Sequence, residues 1–339
     1  MEAFGPVFKI FGSSFLAGIV IAYLKSFVKK PSNWSIEILT NFLGALFIFS
    51  GFVKGIDPLG TSYKMKDYFD AFSQFTGFSF EWLANMSTFF AVSMIVIEIV
   101  LGIALIIGFK KKITLGISAA MMIFFTVLTG FTYLTGFINP DYYDITTRQE
   151  LQAAGEHIQV FVKYDKLQMK VTDCGCFGDF LKLEPRVTFL KDVFLMFVLL
   201  ALFLGIRHIK PFLGNTFSWM KILGSTLFFL LFCFSNYIWG LPLVDFRPYK
   251  IGNNIVEQRV EVPDKLNYGF TFENMETGET KRVAMADYTA AKTDPMWEFT
   301  GDQDNIVLEK GIPAKIANFG AYNEDGFDVT DDILYNESY

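Results

Sequence analysis

Residues 172–180 read TDCGCFGDF, two cysteines one glycine apart, bracketed by Asp173 and Asp179. The only other cysteine in the chain is Cys233. Thiols this close admit three chemistries: a redox couple, half of a metal site, or a tight turn that happens to carry sulfur. A Cys174–Cys176 disulfide would close a very small ring, and strained or exposed disulfides are the readily exchanged ones. A bond built for stability would enclose a longer loop. Zinc wants four ligands, usually from two spaced pairs, whereas this loop offers one pair and one histidine, His157. No metal site is therefore expected. Hydrolysis is disfavoured too, because no base is linked in sequence to either thiol. The flanking charges compete: Asp173 and Asp179 oppose a thiolate, while Arg186 and Lys191 favour one if the chain folds them back onto the turn.

Other ionisable residues interrupt apolar runs. Glu98 lies in AVSMIVIEIVLGIALIIG, about 12 residues from Met86 and so roughly 18 Å along a helix. A carboxylate at that depth costs about 2.5–3.5 kcal/mol on insertion scales, which predicts a neutral acid or a paired one with a functional or architectural role. Lys191 and Asp192 interrupt VTFLKDVFLMFVLLALFLGI one to two turns from its start, beneath the cysteine loop. They either face the bundle interior as a pair or form a snorkelling lysine with a neighbouring aspartate. Pro185 suits the first turn of that helix. Cys233, in FFLLFCFSNY, reads as a small buried hydrophobe.

The elements that hold these groups are membrane spans. The chain is 52% hydrophobic with 40 Phe, and only 19% of it is charged, against about 25% in soluble domains. A hydrocarbon core about 30 Å thick needs roughly 20 mostly apolar residues per helix. Runs at 7–24, 37–53, 86–109, 113–138, 187–206 and 217–240 qualify. The first precedes its basic cluster, Lys25, Lys29 and Lys30, so it reads as a retained helix and not a signal peptide. Short cytoplasmic loops carry the excess of Lys and Arg. Lys25, Lys29 and Lys30, then Lys110, Lys111 and Lys112, then Arg207, His208 and Lys210 fall in alternate loops. These can face the cytoplasm together, which puts both termini, loops 54–85 and 139–186, and the tail outside. Trp82, Tyr237 and Trp239 then fall at the outer boundary, as interfacial aromatics do.

Residues 245–339 differ in character. They hold 19 acidic and 9 basic residues, leaving 20 basic and 16 acidic in the rest of the chain. An acidic external domain beside a positive-inside bundle argues against nucleic-acid binding. YGFTFENMETGETKRVAM alternates apolar and polar residues on both sides of METGET and predicts a β-hairpin. NIVLEKG and AKIANFGAYNEDGFDVT predict two further strands, with EDG as the turn. In TSYKMKDYFDAFSQF, Met65, Tyr68, Phe69 and Phe72 form a helical stripe, for a helix lying in the membrane interface or packed on the bundle.

SGFVKGIDPLG at 50–60, the membrane glutamate followed by glycine in IEIVLGIALIIG, and DCGCFGD followed by RVTFLKD resemble the DoxX-like superfamily, specifically its MauE-like branch. The resemblance covers about residues 36–250. It includes LPLVDFRPYKIGNNI, which is similar to the signature of a subset with an external C-terminal domain. It implies a four-helix core and a role in disulfide formation in exported partners. The bundle also resembles vitamin K epoxide reductase-type thiol–quinone enzymes, which makes a quinone the candidate cofactor, although the Cys-x-x-Cys pair of that type is missing. IANFGAYNEDGFDVTDD resembles the opening of a thioredoxin-like domain.

The expected architecture is an all-α polytopic bundle with a small β-rich domain. Residues 1–35 form the first span and its loop, 36–244 the DoxX/MauE-like domain, and 245–339 the acidic domain. The expected role is thiol–disulfide exchange at a bacterial inner membrane through Cys174 and Cys176. Asp173, Gly175, Gly178, Asp179, Arg186, Lys191, Asp192 and Glu98 support the pair, and the partners are exported or membrane proteins. The alternative is a scaffold within an envelope complex.

Overall fold

The structure is a computed structural model. It describes residues 5–154, 159–164, 171, 175–181, 183–236, 240, 242–245, 250–260, 265–275, 277–309, 316, 320–321, 323 and 327–335. Asp173, Cys174, His157, Tyr237, Trp239 and the EDG turn lie outside the described residues. Two compact units divide the chain, Met1–Phe246 and Arg247–Tyr339.

The first unit is helical: α1 (Gly5–Ser26), α2 (Trp34–Ile56), α3 (Pro58–Thr76), α4 (Glu81–Asn85), α5 (Ser87–Ile107), α6 (Lys111–Thr135), α7 (Pro140–Tyr143), α8 (Ile145–Ala153), α9 (Pro185–Leu204) and α10 (Asn215–Ser235). Six of these, α1, α2, α5, α6, α9 and α10, are long and apolar enough to cross a membrane. Over their apolar windows α2 and α5 are each 56% buried and α10 only 11%, so α2 and α5 form the centre and α10 a flank. Small residues let α2 and α5 meet closely, as membrane helices require where no hydrophobic force drives them together. A Cβ on Gly44 would fall 2.8 Å from the Gly102 carbonyl oxygen, and one on Gly102 would fall 2.6 Å from that of Gly44.

One end of the bundle carries the lysine loops and the other the cysteine turn. At the lysine end the Lys111 ammonium donates to the carbonyls of Ile206 (2.9 Å) and Ile209 (3.0 Å). Towards the other end, α2 breaks at Asp57. The following Pro58 disfavours helical backbone there, and the Asp57 carboxylate caps α3 by accepting from the Gly60 amide at 3.1 Å. The α3 stripe is packed inward: Met65 and Tyr68 are buried, the Ser62 hydroxyl lies 3.0 Å from that of Ser87, and the Thr132 hydroxyl donates to the Tyr68 oxygen at 3.2 Å. Of the two readings of the stripe, these contacts favour a helix packed on α5 and α6.

The second unit contains α11 (Ile255–Arg259), β1 (Lys265–Asn274), β2 (Thr280–Ala284), α12 (Tyr288–Thr293), β3 (Trp297–Glu309) and α13 (Thr330–Tyr335). The strands form an antiparallel sheet in the order β2-β1-β3. The hairpin expected around METGET is β1–β2, with Phe270 opposite Val283 and Phe272 opposite Lys281. Phe270 and Phe272 pack with Tyr288 and Phe299 in a small aromatic core. NIVLE belongs to β3, which begins eight residues earlier than its apolar pattern suggests, at Trp297. The second expected strand is only partly described: Val329 N donates to Ala321 O, Asn323 N donates to Phe327 O, and the chain enters α13 at Thr330.

Candidate functional site

The cysteine turn sits on the C-terminal end of α2. Gly175 and Gly178 have φ of +55° and +53°, the left-handed region that side chains with a Cβ avoid. Two such residues fold GCFG, residues 175–178, tightly enough for Gly178 N to donate to Gly175 O at 3.0 Å, leading into the short 3-10 helix Gly178–Phe180. A Cβ on Gly178 would lie 3.7 Å from the Lys54 Cα, so the turn rests directly on α2. The Phe177 side chain anchors it, 2% exposed and packed on Phe49, a burial that contributes about 1.5–3 kcal/mol. The Ser50 hydroxyl donates to the Cys176 carbonyl at 2.9 Å, a second tie between turn and helix.

Beneath Cys176 lie four charged side chains from three spans. Lys54 of α2 pairs with Glu98 of α5, their side chains 1% and 5% exposed. Lys191 pairs with Asp192, its neighbour on α9, and these are 7% and 1% exposed. The Thr129 hydroxyl of α6 donates to Asp192 Oδ2 at 3.0 Å. Each ammonium also faces a ring, Lys54 5.0 Å from the Phe125 centroid and Lys191 5.6 Å from that of Phe177. All four charges, Ser50 and Cys176 line one cavity. About 20 Å³ of it is accessible to the centre of a water-sized sphere, room for a single water. Two cations against two anions leave the cluster neutral, which is how ionisable groups persist inside a membrane bundle.

Cys176 is a free thiol here, partly buried. Burial pushes it up to about 11; the Lys191 ammonium pulls the other way but does not prevail. It is therefore protonated at neutral pH.

The structure brings together Cys176, Gly175, Gly178, Lys191, Asp192 and Glu98 from the expected set. Lys191 turns inward and does not snorkel, because Asp192 and the Phe177 ring hold its ammonium. Arg186 is exposed on the first turn of α9 and does not line the cavity. Asp173, Cys174 and the side chain of Asp179 lie outside the described residues. Lys54 was missed. The apolar run 37–53 stops one residue short of it, and the signal that points to it is its charge, opposite to that of Glu98. Ser50 and Thr129 gave no signal at all, being small hydroxyls in apolar helices. Among the described residues no cluster of three or more His, Cys, Asp or Glu could hold a metal ion.

The fold and site define a polytopic membrane protein whose cysteine turn is sealed onto buried ion pairs. Residues 32–140 match the family model described as methylamine utilisation protein MauE, so the stretch from α2 to the start of α7 is MauE-like. That stretch carries Lys54, Glu98 and Thr129; the cysteine turn and the Lys191–Asp192 pair follow it in the chain. No curated protein and no solved structure matches the chain.

Proposed function

We propose that this protein takes part in thiol–disulfide exchange on exported or membrane proteins through Cys174 and Cys176, on the extracytoplasmic side of a bacterial inner membrane. The observation that carries this reading is the seat of Cys176, closed over by its own turn and backed by two ion pairs. A buried, protonated thiol attacks slowly, because the thiolate is the nucleophile. It suits the inner, resolving position, which leaves Cys174 as the sulfur that meets the partner.

With the pair oxidised, a partner thiolate attacks Cys174 Sγ. The Cys174–Cys176 bond breaks and Cys176 leaves with the electron pair. The proton it takes up balances the one lost when the partner thiol ionised. A second partner thiolate then attacks the partner's own sulfur in the mixed disulfide and releases Cys174. The partner gains one disulfide, and the cysteine pair holds its two electrons. Lys191 and Lys54 favour the sulfur as it leaves with its electron pair, Asp192 and Glu98 oppose it, and the proton it takes up keeps the cluster neutral. Exchange with another protein disulfide restores the oxidised pair. No step runs through a quinone, since among the described residues the space beside Cys176 takes one water and not a ring.

Cys176→Ser removes the resolving thiol, so reducible adducts should accumulate on Cys174. The double serine variant should form none and should lose function. Full function in that double variant would refute the exchange reading. It would favour a scaffold role, for which the observation is the apolar flank of α10, where Phe217, Leu223, Phe228 and Leu231 are exposed. The family description adds proteins of methylamine utilisation as one class of partner.

A further inference from the structure

A second cavity adjoins the cysteine turn. Gly175 lines it, where Cys176 lines the first, and its remaining wall comes from α3, α5 and α6. About 30 Å³ of it is accessible to the centre of a water-sized sphere, space for about two waters and nothing larger. Phe125 lines both cavities and so stands between them.

Most of this second wall is apolar, but two buried hydroxyls face the space. Thr61 is 4% exposed, and its hydroxyl has no hydrogen-bond partner among the described residues. A buried hydroxyl left dry is costly, so this one points to a bound water. The second hydroxyl is that of Thr129, whose single proton has three acceptors in reach: the Phe125 carbonyl at 2.9 Å, Asp192 Oδ2 at 3.0 Å and the Thr126 carbonyl at 3.3 Å. The charged acceptor makes the strongest of these bonds. With its proton on Asp192, the Thr129 oxygen still has a lone pair that can accept from water. Asp192 in turn lines the first cavity together with Cys176. At the other end of the second cavity stands Lys64, partly exposed and paired with the exposed Asp67 at 3.4 Å, which marks the side that meets bulk water.

We infer that Thr129 relays a proton from water in the second cavity to Asp192, and through it to Cys176. The inference rests on the exchange reading above, in which Cys176 leaves as a thiolate and takes up one proton. A proton entering beside Lys64 passes from water to the Thr129 oxygen as the hydroxyl proton moves to Asp192 Oδ2. Asp192 then gives a proton to the sulfur across the water-sized space of the first cavity. One proton leaves the external solvent and one S–H bond forms; the Thr129 hydroxyl and the Asp192 carboxylate end as they began.

The test uses the full-length protein in nanodiscs with the Cys174–Cys176 pair oxidised. Reduced dithiothreitol attacks the pair, and the thiols released are counted over time with a maleimide that adds mass. Thr129→Val keeps the shape and removes the hydroxyl, so it should slow release roughly a hundredfold, the lower end of what a positioned proton donor contributes. Thr129→Ser should restore most of the rate. Thr61→Val removes a partner of the water together with an unpaired hydroxyl. It should slow release while its unfolding midpoint stays at or above that of the wild type, a combination that loosened packing does not produce. A wild-type rate in Thr129→Val, or a serine variant as slow as the valine one, would refute the relay and leave the exchange reading standing. If Thr129→Val does not fold, Thr61→Val decides: slowed release upholds the relay and an unchanged rate overturns it. A wild-type pair that neither oxidises nor reacts would remove the exchange reading, and the relay with it.

Discussion

Replacing Glu98 with Gln changes one oxygen to an amide and leaves the Lys54 ammonium, 1% exposed, without its carboxylate. Breaking a buried ion pair from one side costs about 3–5 kcal/mol, because a charge is stranded, whereas replacing both members with uncharged residues of similar volume is often neutral. Glu98→Gln and Lys54→Met should each therefore lower stability by about 3–5 kcal/mol, while the double variant should cost far less than the sum. The coupling energy should exceed about 2 kcal/mol, towards the upper part of the range for residues in contact. Reversible unfolding of the four proteins in mixed micelles, followed by circular dichroism, gives the cycle. Additive losses would mean that the two groups do not act as a pair in the folded protein, and the neutral cluster beneath Cys176 would have to be abandoned. An unperturbed Glu98→Gln variant would do the same.

Other outcomes follow from the turn and its supports. In a variant retaining Cys176 as its sole cysteine, the alkylation rate should climb about tenfold per pH unit until roughly pH 11, since a thiol pushed up to about 11 stays mostly protonated below that; a plateau near pH 9 would contradict its buried seat. Gly178→Ala places a Cβ on a residue at φ +53° and should cost about 1–2 kcal/mol, read as a lower unfolding midpoint. Asp57→Ala removes the α3 cap and should cost about 1 kcal/mol, measurable by the same unfolding assay. An impermeant maleimide applied to intact spheroplasts should label reduced Cys174 but not a cysteine introduced at Lys111; the reverse pattern would invert the proposed orientation.

All six spans could be read from apolar run length, because membrane thickness sets a minimum that few other structures meet. The hairpin around METGET was equally legible, since alternation on both sides of a turn has few other meanings. The site was legible only in part. Glu98, Lys191 and Asp192 stood out because charge in an apolar helix is costly, but nothing local identifies which charge answers which. Lys54 lies 44 residues from Glu98, and their pairing depends on the close α2–α5 contact at Gly44 and Gly102. The fate of the Cys176 thiol depended on a comparable long-range fact, that Gly178 packs on Lys54 and closes the turn over the cavity. The start of β3 escaped detection because TGDQDN interrupts the apolar alternation that Trp297 and Phe299 begin, separating them from NIVLE.

The division of the ion pair between α2 and α5 also bears on how the chain is built into a membrane. Lys54, two residues from the end of α2, can keep its ammonium in the headgroup layer while that helix stands alone. Glu98 sits eleven residues into α5, about 17 Å from its start, where no such escape is open. Although α5 is the most apolar of the six spans, this carboxylate raises the cost of its insertion, and α2, synthesised first, can lower that cost by drawing Lys54 inward to meet it. The Lys191–Asp192 pair needs no earlier helix, because α9 carries both charges itself. On this view Lys54 serves biogenesis as well as the finished site: α2 would act as an intramolecular chaperone for the one charge that α5 carries into the bilayer.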